Sequence, residues 1–518
     1  MRRYEELLEL PANALVAIID TVYRYAASSV HAAPLLDREI TGITGNSLRL
    51  DRLVDAACSE VSMSGSDWDE LTAYLAVTPH QVITPRSAWD EIAGRLLTET
   101  IVADGVAWMQ RYEALSRLLA HPTGQQAAVA ACASLAADRT NQVFVETVSA
   151  LDASPHPDAS RHVLHQLTDP TNERAQYGAL LACVRKLRYG HFTEPQMYQL
   201  VPVVQELVSD ASHYEDAHLL AAELLRHLPG SSVTTGKARL RRVLATDRRL
   251  HQVASAGRLV DTEISQPLVN RVVSATVAAM PWEVPSFEDQ VLPVLIDKML
   301  FSPVFDQRLY TAIMISGTPY RRALATALAR ELVGPRLHCL DIAPTVLEAL
   351  RVLGGAEHRP VIERLITARG LPSAVTVTAS SAIGHVGGQT ADCYWMHAIG
   401  HHSHLWKRTG CQTNAVALSL LTYGLGMTRN KAVLKSVRDD LDRRVARGIS
   451  PPGPHRTVRN GRPLYGSCRS GHQTVGAWVT HAQWAKAPGR FRMALFHAVR
   501  AFLLPRSRLY FRRTHRSR

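Results

Sequence analysis

The sequence predicts an all-α protein: a right-handed solenoid of helical hairpins of the HEAT or armadillo type, followed by a basic, poorly ordered tail. Three observations predict it. Apolar residues make up 46% of the 518-residue chain but aromatics only 6%, and the strong helix formers Ala and Leu fill most apolar positions. Those positions recur at i, i+3, i+4 and i+7, the period of one helix face. Breaks near Pro122, Pro155, Pro195, Pro229 and Pro267 fall roughly 33 to 40 residues apart, the length of one hairpin unit in a stacked array. Alternating strand runs and a strand–helix–strand rhythm are absent.

In residues 1–120 the sequence predicts an N-terminal helical region. Tyr4 to Leu10 leads into Pro11, which suits the first turn of the next helix because its missing N–H has no partner there anyway. That helix carries Leu15, Ile18, Ile19 and Val22 on one face. After a break at Thr44 to Ser47, the segments Trp89–Thr98 and Trp108–Ala120 place Trp89, Ile92 and Leu96, then Trp108, Tyr112, Leu115 and Leu119, on single faces. Both tryptophans are expected to be core anchors rather than ligand platforms.

Residues 121–440 are predicted to be the HEAT-like repeats. The clearest helix runs from Asp216 to Leu228, with Ala217, Leu220, Ala221, Leu224, Leu225 and Leu228 along one face and Pro229-Gly230 as its stop. Arg321–Leu332 and Pro360–Ile366 behave similarly. Hairpins of this kind bury their apolar faces only by stacking on one another.

The charge of +12 needs division along the chain. Residues 443–518 hold 16 Arg and Lys486 but no Asp or Glu, which leaves 41 basic and 46 acidic residues before them, a net charge near −5. The folded body is therefore expected to be mildly acidic, with the positive charge in an Arg-rich tail over residues 441–518. One short apolar helix is expected in that tail near residues 491–504, carrying Phe491, Leu495, Phe496, Val499, Phe502 and Leu503. The tail has three readings: a non-specific nucleic-acid binder acting on phosphates, a segment lying on an anionic membrane, or a solvated extension without selected function, such as a shifted reading frame in a GC-rich gene would produce.

The seven cysteines, Cys58, Cys132, Cys183, Cys339, Cys393, Cys411 and Cys468, are scattered and form no CxxC pair. Met1 to Leu10 is charged and lacks the apolar core of a signal peptide. No run approaches the roughly 18 apolar residues of a membrane-spanning helix. A reducing cytoplasm is the expected location, with buried thiols acting as small hydrophobes.

Catalytic motifs are sparse. Gly230 to Lys237 departs from a phosphate loop: Gly236 is one place late, Ala238 replaces the hydroxyl residue, and a helix precedes it. The densest set of ligand-type residues is His385, Cys393, His397, His401, His402, His404 and Cys411. His397 and His401 stand one helical turn apart, the spacing with which two imidazoles grip one metal. A zinc site needs further convergent ligands, so a polar helix end with several solvated histidines is the expected outcome. Convergence of His397 and His401 with Asp392 would favour an enzyme. There is no HExxH, no GxSxG and no strand-to-helix GxGxxG. No catalytic, cofactor-binding or metal-ligating residue is assigned, and no cofactor is expected.

Arg3-Tyr4-Glu5-Glu6-Leu7-Leu8 through Leu10-Pro11, with Val16-Ala17-Ile18-Ile19-Asp20-Thr21-Val22-Tyr23-Arg24-Tyr25, resembles a segment of long actinobacterial Xre-type helix-turn-helix regulators. In those proteins the segment directly follows the DNA-binding domain. Ala382-Ile383-Gly384-His385-Val386-Gly387-Gly388, the Trp395 segment and Leu421-Thr422-Tyr423-Gly424-Leu425-Gly426-Met427 resemble their distal part. The likeness covers about residues 1 to 440. The family's helix-turn-helix is missing, since this chain begins where that domain would end, and the tail departs from the family's helical continuation. The resemblance implies a non-enzymatic interaction or sensing module related to transcriptional regulators, taking a protein or peptide partner on a concave repeat face. The alternative expectation is a nucleic-acid-binding protein acting through the basic tail.

Overall fold

The computed structural model describes residues 5–6, 12–17, 20, 47–103, 105–138, 145–210, 215–228, 238–285, 288–333, 342–428, 430, 432–433 and 435–437. Among the described residues every regular element is a helix and none is a strand. Gly230–Lys237 and residues 441–518, with the short helix expected at 491–504, lie outside them. Two compact units divide the chain, one up to Ser255 and one from Ala256.

The first unit comprises α1 (Ser47–Ala57), α2 (Gly65–Val77), α3 (Ser87–Val102), α4 (Gly105–Ala120), α5 (Gln125–Ala137), the short α6 (Val145–Ser149), α7 (Pro157–Thr168), α8 (Glu173–Tyr189), α9 (Glu194–Ser209), α10 (Glu215–His227), α11 (Ala238–Thr246) and α12 (Arg248–Ala256). Local chemistry sets several starts. Ser64 and Asp67 form a reciprocal capping box before α2. The Asn172 side chain accepts the N–H groups of Arg174 and Ala175 ahead of α8, and Gly190, at φ 68°, closes it in the left-handed conformation. Glu5 caps at a distance: its carboxylate accepts the N–H groups of Asn13 at 2.9 Å and Leu15 at 2.8 Å.

Helices pack on their neighbours and also on the next but one: α2 on α4, α3 on α5, α6 and α10 on α8, and α11 on α9. For α10 this widens the buried stripe. Besides the expected Leu220, Ala221, Leu224 and Leu225, it buries Leu219 and Ala222, because α8 and α9 cover it from two sides. Each leucine taken fully out of water contributes about 1.5–3 kcal/mol.

The second unit comprises α13 (Thr262–Ala278), α14 (Glu288–Phe301), α15 (Phe305–Ser316), α16 (Arg321–Glu331), α17 (Ala343–Leu353), α18 (Arg359–Thr367), α19 (Ser373–Ala382), α20 (Asp392–Thr409) and α21 (Gln412–Met427). Helices α15, α17, α19 and α21 pack in succession; α16 flanks α17, α18 flanks α19 and α20 flanks α21.

Two expectations change. Pro267 is not a break but lies inside α13. It removes one backbone bond near the start of the helix, and burial of Ser265, Leu268, Val269, Val272 and Thr276 along that helix outweighs the loss. Trp89 is 6% exposed and is a core residue. Trp108 is only half-buried and stacks on Tyr112 with ring centroids 5.0 Å apart.

Candidate functional site

The histidine-rich stretch runs from the turn after α19 through α20 to Cys411 just before α21, and the helix period of α20 parts its ligand-type residues. On α20 the inward positions are Trp395, Ala398 and His402, while Cys393, His397 and His404 face solvent. His402 is 2% exposed. Its Nε2 lies 3.0 Å from the carbonyl oxygen of Ile366 on α18 and its Nδ1 2.9 Å from Oδ1 of Asn414 on α21. Both ring nitrogens are therefore committed to protein partners and neither is open to a metal. His402 is thus a buried cross-link between three helices, not the solvated residue expected from its neighbours.

His397 and His401 do stand together, with ring centroids 6.3 Å apart. Desolvation, with His402 and His397 close by, holds the His401 imidazole below its usual range and so favours the neutral ring. Asp392 does not join them. Five residues along a helix turn it about 140° away from His397, and its carboxylate accepts the Asn430 side-chain N–H at 2.6 Å. His385 packs against Tyr423, 5.9 Å between centroids. Cys411 precedes α21, where hydrogen bonds from Thr413 lower its thiol pKa. Among the described residues no group of three or more His, Cys, Asp or Glu is placed to hold a metal ion.

The neighbouring stretch from Ala382 to Gly388 is an architectural joint. A Cβ on Gly384 would stand 2.6 Å from the Gly424 Cα, and a Cβ on Gly424 would stand 3.2 Å from the fully buried Trp395 ring. Only glycine lets the two backbones approach this closely. Arg359 at the head of α18, 3% exposed, donates to the carbonyls of Val386, Gly387 and Gly388 and to the Thr390 hydroxyl. Thr390 in turn donates to Glu363 at 2.8 Å.

The first unit holds buried charge of its own. Lys186 on α8 is fully buried and its Nζ donates to the Ser154 carbonyl at 2.6 Å. Asp152, also fully buried, pairs with Arg185 at 3.0 Å. Burial pushes the Lys186 ammonium down to about 8, against the partial support of Asp152. Such a lysine has the electronics of a nucleophile but no access to a substrate. Its effect is on stability. Between pH 8 and its ordinary value of 10.5 the unfolded chain binds more protons at this residue than the folded one, so stability rises with pH across that window. Wild-type protein is expected to gain about 3 kcal/mol there relative to Lys186→Met. Parallel pH profiles of urea unfolding for the two proteins would sink this expectation.

Cys132 and Cys183 are fully buried, with burial pushing both thiols up to about 12. These fit the expectation of inert packing thiols. Cys393 and Cys411 are exposed and do not.

Two open grooves lie on the units. One, about 490 Å³, runs between α7 and α9, with Leu164, Leu200 and Val203 among its apolar lining and Arg161, His165 and Gln199 among its polar lining. The other, about 460 Å³, runs between α13 and α16, where Arg271 and Glu331 form an ion pair at 3.3 Å. Neither lining places a nucleophile beside a base held by a third group, the arrangement covalent catalysis requires. Among the described residues no helix is long and apolar enough to cross a membrane. No family model, curated protein or solved structure matches the chain.

Proposed function

We propose that this protein is a non-enzymatic interaction or sensing module related to the long Xre-type transcriptional regulators, built as a right-handed HEAT- or armadillo-like array that takes a protein or peptide on its concave face. The observation that carries the reading is the packing of helices on the next but one, α8 on α10 in the first unit and α17 on α19 on α21 in the second, the arrangement by which stacked hairpins bury a shared core. Further support comes from the open, unreactive grooves and from the stretches around Gly384 and Gly424, which meet in one joint. The test is reconstitution: a polypeptide that co-purifies with the tagged full chain is made separately and titrated against it. A saturable complex with Kd below about 10 μM, in the range of specific association, supports the module. A chain that stays alone at that concentration overturns it.

A second reading rests on the 17 basic and no acidic residues of 443–518: a tail that binds nucleic acid through phosphates. Removing residues 441–518 and measuring DNA affinity against salt tests it, and unchanged affinity would exclude it.

A further inference from the structure

We propose that α11 and α12 present a phosphate-binding face that docks the backbone of duplex DNA. It lies in the folded body, apart from the repeat-face partner and from residues 441–518, and so goes beyond both readings above.

The two helices follow each other with only Asp247 between them. Leu240, Leu244, Leu250 and Val253 are at most 5% exposed and anchor them to the unit. Arg239, Arg241, Arg242, Arg248 and His251 are all exposed. Among the described residues none of those four guanidinium groups has an ion pair or hydrogen-bond partner. Some exposed arginines elsewhere are paired, as in Arg49 with Glu70, Arg271 with Glu331 and Arg322 with Glu357, and others, such as Arg52, Arg188, Arg330 and Arg408, stand singly; among the described residues only this segment gathers four unpaired ones within ten positions.

The one acid in the segment is already used. The Asp247 carboxylate accepts the Leu250 N–H at 3.0 Å, capping α12. Neither helix has an acidic residue in its first turn, and arginines stand there instead. Positive charge at the positive end of a helix dipole is unfavourable. An arriving phosphate relieves both this penalty and the repulsion among the arginines, a reason for the arrangement that a merely solvated face lacks.

The surroundings decide between ligands. None of the exposed large hydrophobic residues lies between 238 and 256. Protein interfaces rest on apolar and aromatic anchors, and single strands need aromatic platforms for their unstacked bases. A duplex keeps its bases stacked and offers phosphate oxygens, which the planar guanidinium fork meets in pairs. Such a face positions DNA without reading its sequence.

The test uses the full chain and a mixed-sequence DNA duplex. Arginine-selective modification by phenylglyoxal, read peptide by peptide, is expected to show duplex protection of Arg239, Arg241, Arg242 and Arg248, while the exposed Arg330 and Arg408 stay reactive. Because the arginines of 443–518 fall in other peptides, failure of this face and failure of the tail reading are told apart. The variant R239Q/R241Q/R242Q/R248Q should lower the slope of log affinity against log salt by about 3 to 4, at roughly 0.9 per phosphate contact, without lowering Tm. Equal reactivity with and without duplex overturns the proposal. Equal or better protection by a single strand or by poly-glutamate overturns the assignment to duplex DNA. If the variant loses its fold, protection on the wild-type chain decides.

Discussion

Replacing Arg117 with Met is expected to destabilise the first unit by about 3–5 kcal/mol, the cost of removing one partner from a buried ion cluster. The Arg117 guanidinium donates to Asp20 at 2.7 Å and Asp69 at 2.8 Å, and Glu113 lies 3.8 Å away. All four side chains are at most 8% exposed. Coulombic support from Asp69, Glu113 and Asp20 more than offsets desolvation and holds the guanidinium firmly charged. The cluster ties α4 to α2 and to the segment around Asp20, 97 residues away. Methionine fills much of the space but leaves three buried carboxylates without the cation between them. Arg117→Lys should fall in between, since an ammonium cannot extend a planar fork to two carboxylates at once. Urea unfolding with hydrogen exchange of α2 and α4 measures both. A loss below about 1 kcal/mol for Arg117→Met, typical of an exposed pair, would contradict the account.

Arg359→Ala is the second large effect, about 3–5 kcal/mol and confined to the second unit. The substitution strips hydrogen bonds from three backbone carbonyls in the loop between α19 and α20 and from Thr390. Each buried polar group left unsatisfied costs about 1–3 kcal/mol. Burial alone pulls the Arg359 pKa down, with Glu363 opposing, so its place in the fold depends on those acceptors. Hydrogen exchange should accelerate through residues 386–400 while α13 keeps its protection. Uniform acceleration of the whole unit would show that the guanidinium does more than fasten this loop.

These two arginines mark the limit of what periodicity reveals. The helices over Trp89–Thr98, Asp216–Leu228 and Arg321–Leu332 were legible because apolar spacing and local stop signals are properties of a few adjacent residues. Their observed spans, Ser87–Val102, Glu215–His227 and Arg321–Glu331, differ by a few end residues. Nothing local distinguishes Arg117 or Arg359 from a solvated arginine; partners 27 to 97 positions away make the difference. The histidine cluster shows the same limit from the other side. Seven ligand-type residues within 27 positions invite a metal reading, and rotation about α20 separates them, turning His402 inward and His397 outward.

The arginines of α11 and α12 were visible in the sequence but lost in a sum. Counting charge over residues 1–442 gave a body near −5 and concealed a local run from Arg239 to Arg248. The idea that positive charge belongs to the tail and not to the body needs correction at this place, because a net charge averages over surfaces that a ligand meets one at a time.

By itself the sequence determined that the chain is helical, roughly where several of its helices start and stop, and that HExxH, GxSxG and GxGxxG are absent from it, since backbone propensity, capping and motif spacing are short-range. Only the tertiary structure decided which arginines are buried cross-links and which lie open, that Gly384 and Gly424 let the turn after α19 touch α21, and that the chain divides at Ser255. These depend on long-range packing, in which each side chain's role is set by what the fold brings beside it.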